Sequence, residues 1–82
     1  MSAILNTYNR KKISFTRGKG AFLYGTNGKK YLDFVQGIAV NCLGHANNYL
    51  TNSISKQAKK LWHVSNAFII PEQEKLARRL KQ

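Results

Sequence analysis

Tyr31-Leu-Asp-Phe-Val-Gln-Gly-Ile-Ala-Val-Asn-Cys-Leu-Gly-His45 is the stretch on which the reading of the chain turns. It starts as a strand, with Leu32 and Phe34 on one face and Tyr31 and Asp33 on the other. The alternation stops at Phe34. Gly37 and Gly44 then bracket a mostly apolar run with one polar residue, Asn41, and an amphipathic helix pattern begins after His45. Such a loop between strand and helix can be plain core, the commoner outcome. It can also be the wall of a small-molecule site, since such pockets are mostly apolar with few placed polar groups. The residues alone leave both open.

Upstream, residues 13–34 predict a three-strand antiparallel meander. Ile13, Phe15 and Arg17 alternate with Ser14 and Thr16, Gly18-Lys-Gly20 permits a tight turn, and Ala21 to Tyr24 make the second strand. Asn27-Gly28 is a strong hairpin signal and predicts a type I′ turn. Lys29 to Phe34 form the third strand. Gly18-x-Gly20 is not a phosphate loop: Leu23 stands where the dinucleotide fingerprint needs a glycine, and a strand pattern comes next instead of a helix. Cys42, His45 and His63 lack zinc spacing. His45 has no carboxylate near it in sequence and reads as structural.

Residues 1–12 read as a polar, basic arm. Residues 47–82 read as two helices joined by an extended or looped segment, Leu61 to Ile70. Leu50, Ile54, Ala58 and Leu61 recur on one helical face over 47–62, with Asn47 or Asn48 as cap. Trp62, Val64 and Phe68 are bulky and want burial, with Ser65 and Asn66 polar between them. That pattern also fits a buried strand with a polar kink. Pro71 opens a last helix with Glu72 and Glu74 in its first turn and Arg78, Arg79 and Lys81 in its last, which complements the helix dipole. The expected fold class is therefore α+β: arm, three-strand meander, apolar loop and two helices.

Eighty-two residues make one domain at most. A chain this short buries only about 60–65% of its unfolded surface, so independent stability is marginal. One cysteine forms no internal disulfide; as a buried thiol Cys42 fits a reducing compartment. The start of the chain lacks the pattern of a secretory signal, and no apolar run approaches the ~20 residues of a membrane span, so the cytoplasm is the expected location. The formal charge of +11, with 14 Lys plus Arg against 3 acidic residues, points to an anionic partner. The basic residues are spread along the chain, however, which also fits a lysine-rich solvent face.

Tyr31-Leu-Asp-Phe34, Gly37-Ile-Ala-Val-Asn41 and Leu43-Gly-His45, together with Arg17-Gly-Lys-Gly20, Leu61-Trp-His-Val-Ser-Asn66 and Pro71-Glu-Gln-Glu-Lys-Leu-Ala77, resemble the N-terminal region of the class III pyridoxal-phosphate aminotransferases, in their acetylornithine and ornithine branch. The resemblance runs from about Tyr8 to Leu80. Family members are several times longer, so the chain is expected to be an N-terminal fragment, part of the small domain and interface of a fold-type I homodimer. The full enzyme would transfer an amino group between N-acetylornithine and 2-oxoglutarate, in arginine biosynthesis, with pyridoxal 5′-phosphate as cofactor. The resemblance places Tyr8 of the arm near the substrate entrance, although Lys12 stands where the family usually has proline. It makes Ile38, Ala39, Val40 and Asn41 the substrate-side wall. An aliphatic Ile38, where ornithine aminotransferases tend to have tyrosine, favours the acetylornithine side, because a wall without a hydrogen-bonding group suits an acylated amine better than a charged one. Trp62, Ser65 and Asn66 fall at the cofactor-neighbouring or dimer-interface segment. The Schiff-base lysine and the phosphate-binding segment lie downstream in the family. No residue here is expected to be catalytic, and the fragment alone is expected to be inactive, supplying pocket wall and dimer surface.

A small basic nucleic-acid-binding module is the alternative, with aromatic stacking on the sheet and lysines on phosphates. The aromatics lie on both strand faces and the lysines form no single stripe, which disfavours it. A third reading, a dimerisation or folding segment of another protein, shares most expectations with the first.

Overall fold

The computed structural model describes residues 2–82. They form two compact units, Met1–Thr51 and Asn52–Gln82.

In the first unit residues 2–14 have no regular structure. Three strands come next, β1 (Phe15–Lys19), β2 (Phe22–Gly25) and β3 (Lys30–Leu32), antiparallel in the order β1-β2-β3. This is the expected meander, but β1 begins at Phe15 and not Ile13, β3 ends at Leu32 and not Phe34, and both turns differ. First, β1 runs through Gly18 and Lys19, and the turn narrows to Gly20-Ala21, with Gly20 at φ 58°. Second, the β2–β3 turn is not type I′. Only Gly28 of the Asn27-Gly28 pair has a positive φ (79°), and the turn closes from the Gly28 N–H to the Gly25 carbonyl at 3.1 Å. The Asn27 side chain is engaged with β3. Its Nδ2 donates to Tyr31 Oη at 2.8 Å, and its Oδ1 accepts from the Lys29 amide at 3.0 Å.

A bulge shifts the β1–β2 register between Phe15, which pairs with Gly25, and Arg17, which pairs with Tyr24. An extra residue reverses the face of every residue after it, so Phe15 and Arg17 are not on the same face as simple alternation predicts. Phe15 meets Tyr31 edge to face at 5.6 Å. Arg17 lies over the Tyr24 ring at 3.7 Å, and Lys30 lies over Phe22 at 4.0 Å. These two rings carry the chain's own cations, which removes them as free platforms for stacked bases.

After β3 the chain makes a short turn, α1 (Gln36–Ala39), and then irregular loop to His45. The helix α2 (Asn48–Ala58) begins at an Asn47 cap, whose Oδ1 accepts from the Leu50 amide at 3.1 Å. It ends at Ala58, short of the expected 62. There the Trp62 indole N–H takes the Ala58 carbonyl at 2.6 Å, satisfying one of the acceptors every helix end leaves open.

In the second unit, residues 61–70 are irregular, with Ser65 at φ 77°. Trp62 is 86% exposed and Phe68 68% exposed, so the expected burial of these two does not hold, and of the extended, looped and buried-strand readings of this segment the loop is the one found. The helix α3 (Pro71–Lys81) has proline at its start, acids in its first turn and bases in its last, as its composition predicts. Glu74 and Arg78 form an exposed pair at 3.9 Å.

Among the described residues no large apolar side chain is buried. Of the described residues only Gly25 is buried. The apolar residues of α2 and α3, including Ile54, Leu76 and Leu80, stand open.

Candidate functional site

The first unit folds its motifs around one carboxylate. Asp33 leaves β3, and its backbone N–H donates to the Ala21 carbonyl at 2.8 Å, tying it to the β1–β2 turn. Its Oδ1 accepts from the amides of Val35 (3.0 Å) and Gln36 (2.9 Å). This is the Asp habit of capping its own chain two and three residues on. Its Oδ2 meets His45 Nε2 at 2.6 Å. An ionised carboxylate only accepts, so the Nε2–H donates. The Gln36 amide and the His45 hydrogen bond, with smaller help from the Val35 amide and the His45 charge, hold the Asp33 carboxyl below its ordinary value; partial loss of water opposes them.

His45 reaches Asp33 because glycines let the loop return. Its backbone makes a two-way bridge to Gly20, His45 N–H to Gly20 C=O at 2.8 Å and Gly20 N–H to His45 C=O at 3.0 Å. A Cβ on Gly18 would stand 2.7 Å from His45 Cβ and Cγ, and one on Gly44, at φ 85°, 3.1 Å from the Gly20 carbonyl oxygen. Gly18 therefore serves close packing, whereas Gly20, at φ 58° and with nothing within 4 Å of a Cβ placed on it, serves the turn. His45 is structural, as expected, but it does have a carboxylate, twelve residues away and invisible to local inspection.

Between these anchors lies a left-handed turn. Gln36, Gly37, Ile38 and Ala39 have φ of 57°, 63°, 63° and 61°. This conformation costs an L-residue roughly 1–2 kcal/mol, and it is an outlier for a β-branched residue such as Ile38. The turn is laced by Val40 N–H to Gln36 C=O at 2.9 Å and Asn41 N–H to Gln36 C=O at 3.0 Å. Ile38 (86% exposed) and Val40 (75%) project from it, while Asn41 is half-buried. Two concavities flank the turn. One of about 230 Å³ includes Gln36, Asn41, Cys42 and His45. The other, about 630 Å³, includes Phe15, Leu23, Tyr31 and Gly37. Both contain Asp33.

Of the residues singled out in sequence, Ile38, Ala39, Val40 and Asn41 are thus brought together on one strained turn. Tyr8 stands apart from both concavities, with Arg10 at 5.4 Å from its ring centre. Cys42 is exposed, not the buried thiol expected. Trp62, Ser65 and Asn66 belong to the second unit. There Trp62 lines a shallow groove with Ile54, Gln57 and Ala58, and Ser65 Oγ accepts from the Ala67 amide at 3.3 Å. Neither concavity beside the turn contains a lysine or arginine, and Asp33 is committed to its own amides and His45. The residues here therefore do not compose a site for pyridoxal phosphate by themselves, which needs an amine for its aldehyde and donors for its phosphate. No metal-binding cluster occurs among the described residues.

The family model for aminotransferase class III matches residues 4–82. Acetylornithine aminotransferase of Brucella melitensis is 51% identical over 77 residues, 94% of this chain and 19% of that protein. The Aquifex aeolicus protein of the same name is 51% identical over 80 residues, 98% of this chain and 21% of its own length. The crystal structure of N-acetylornithine aminotransferase from Stenotrophomonas maltophilia superposes with a TM-score of 0.82 at 37% identity, over 93% of this chain and 21% of that one. The chain belongs to the class III aminotransferase family, and it spans about a fifth of the length of the relatives it matches.

Proposed function

We propose that this chain is the N-terminal, substrate-side part of a pyridoxal-phosphate-dependent transaminase that moves an amino group between N-acetylornithine and 2-oxoglutarate. The carrying observation is identity of 51% over 94% of the chain to a protein of that name. The fold supports it, because Ile38, Ala39 and Val40 stand exposed at one turn with Asn41 half-buried just after it. In this reading Ile38 supplies an apolar wall for the acylated end of the substrate, and Tyr8 closes over the entrance. Trp62, Ser65 and Asn66 face the cofactor region or a second subunit. The cofactor supplies an electron sink for the carbon that loses its amino group. Its lysine and phosphate-binding segment belong to the rest of the enzyme. The open apolar faces of α2 and α3 suit burial against that remainder and in a homodimer, acting in the cytoplasm.

The test is expression of the complete reading frame that contains this segment. The expected product binds pyridoxal phosphate, with its visible absorbance, and aminates 2-oxoglutarate with N-acetylornithine in preference to ornithine. A product that neither acquires that absorbance nor transfers the amino group overturns the reading.

A further inference from the structure

We propose that Asp33 and His45 are positioning residues, a clasp that holds the left-handed turn Gln36–Ala39 in its strained form and thereby sets where Ile38, Ala39 and Asn41 stand for the substrate. The inference rests on the substrate-side reading of that turn and adds what enforces its shape.

The turn is not favoured by its own sequence. Gln36, Ile38 and Ala39 all pay for a positive φ, and strained backbone persists only where its surroundings over-determine it. Those surroundings are visible at both ends. At the entrance, one Asp33 oxygen holds the two amides, Val35 and Gln36, that lead into the turn. At the exit, the Asn41 carbonyl accepts from the Gly44 amide at 2.9 Å, and Gly44 and His45 are pressed on Gly20. The other Asp33 oxygen then takes the His45 ring at 2.6 Å, so a single carboxylate joins entrance to exit. Both side chains are largely withdrawn from water, at 7% and 17% exposure, whereas Ile38 and Val40 project outward. The clasp therefore lies behind the turn and acts through it. Without it, Ile38 and Ala39 are free to relax toward negative φ, which swings their side chains away from where the turn presents them.

The experiment uses the complete enzyme. Asp33→Ala removes the three side-chain bonds, to the Val35 and Gln36 amides and to His45. Asp33→Asn keeps an acceptor for the two amides and a polar atom toward His45, and serves as the conservative rescue. Asp33→Ala is expected to raise KM for N-acetylornithine about tenfold with kcat little changed, and Asp33→Asn, which keeps the acceptor and loses the charge, to fall between Asp33→Ala and wild type. Backbone hydrogen exchange over residues 35–41 should accelerate in Asp33→Ala and clearly less in Asp33→Asn, while residues 48–58 exchange as before. An unchanged KM and unchanged exchange in Asp33→Ala overturn the proposal. So does an Asp33→Asn variant as impaired as Asp33→Ala, which would make charge, not the shared hydrogen bonds, the agent. Should Asp33→Ala not fold, His45→Ala decides: faster exchange at 35–41 with raised KM supports the clasp, and wild-type values overturn it. A wild-type enzyme inactive on N-acetylornithine would defeat the substrate reading, and the exchange comparison would still decide the clasp.

Discussion

The loop of the first unit and the helical second unit solve the same problem, an apolar segment without a core, in opposite ways. In the first unit two side-chain bonds, Asp33 to His45 and Ser14 to Thr26, each cross twelve residues. The first of them closes a loop in which Gln36, Ile38 and Ala39 adopt a backbone they do not prefer. In the second unit the side-chain bonds stay local. Gln57 to Leu61 and Trp62 to Ala58 each span four residues, and Ala67 to Ser65 spans two. Local bonds are enough for helices whose caps and charges already agree with the dipole. They do nothing to bury Trp62 or Leu80. Both units leave large apolar side chains open, Phe34 and Val35 in the first and Trp62 and Leu80 in the second, but the run of strained backbone belongs to the first; the first reads as a site, the second as a surface awaiting cover.

The sharpest way to break this contrast is Gly18→Ala. Its Cβ would meet His45 at 2.7 Å, and overpacking of this kind typically costs about 1–3 kcal/mol. We expect a loss of about 2 kcal/mol in urea unfolding of the complete enzyme, with faster exchange over residues 35–41. A substitution to the same residue on the exposed face of α3, Lys75→Ala, should cost almost nothing.

Ile38→Asn tests the strain directly. Asparagine tolerates the left-handed region that a β-branched residue resists, so this variant should gain about 1 kcal/mol of stability while KM for the acylated substrate rises. Loss of stability there would show that the positive φ of Ile38 carries no cost.

Acid should separate the two units. Because the folded-state carboxyl of Asp33 lies below the unfolded value of 3.8, its contribution to stability is present in full above that value. It is lost as pH falls through the lower, folded value. Exchange over residues 35–41 is therefore expected to hold steady at neutral pH and to rise, after correction for intrinsic rates, only below about pH 4. Asp33→Ala should abolish this pH dependence.

The smallest effect belongs to Glu74→Gln. The exposed Glu74–Arg78 pair, at 3.9 Å, is worth no more than about 0.5 kcal/mol. Thermal unfolding of the variant should be nearly indistinguishable from wild type, and less so at low salt.

Where sequence and structure agree, the signals were short-range. Asn27-Gly28 marked a turn, Asn47 a helix start and Pro71 another, because glycine, asparagine and proline act on their own backbone or on amides a few residues away. The turn type at Asn27 escaped that reading, since a contact with Tyr31 across the hairpin outweighed the dipeptide's own preference. The bulge after Phe15 escaped it too, because alternation contains no record of an extra residue. Asp33 was visible only as the polar side of a strand, and His45 only as a histidine after glycine.

From its residues alone this protein determined its α+β order of elements, the Asn47 cap of α2, the Pro71 start and charge placement of α3, and, through the motifs from Arg17 to Ala77, its resemblance to the class III aminotransferases. These depend on neighbours within about one helical turn or on patterns that recur along the chain. Only the tertiary structure decided that Gln36–Ala39 is left-handed, that Gly18 and Gly44 exist to let His45 approach, and that Asp33 joins the two ends of the turn. Each of those depends on groups twelve or more residues apart meeting within hydrogen-bonding or van der Waals distance, and separation along the chain carries no information about that until the chain has folded.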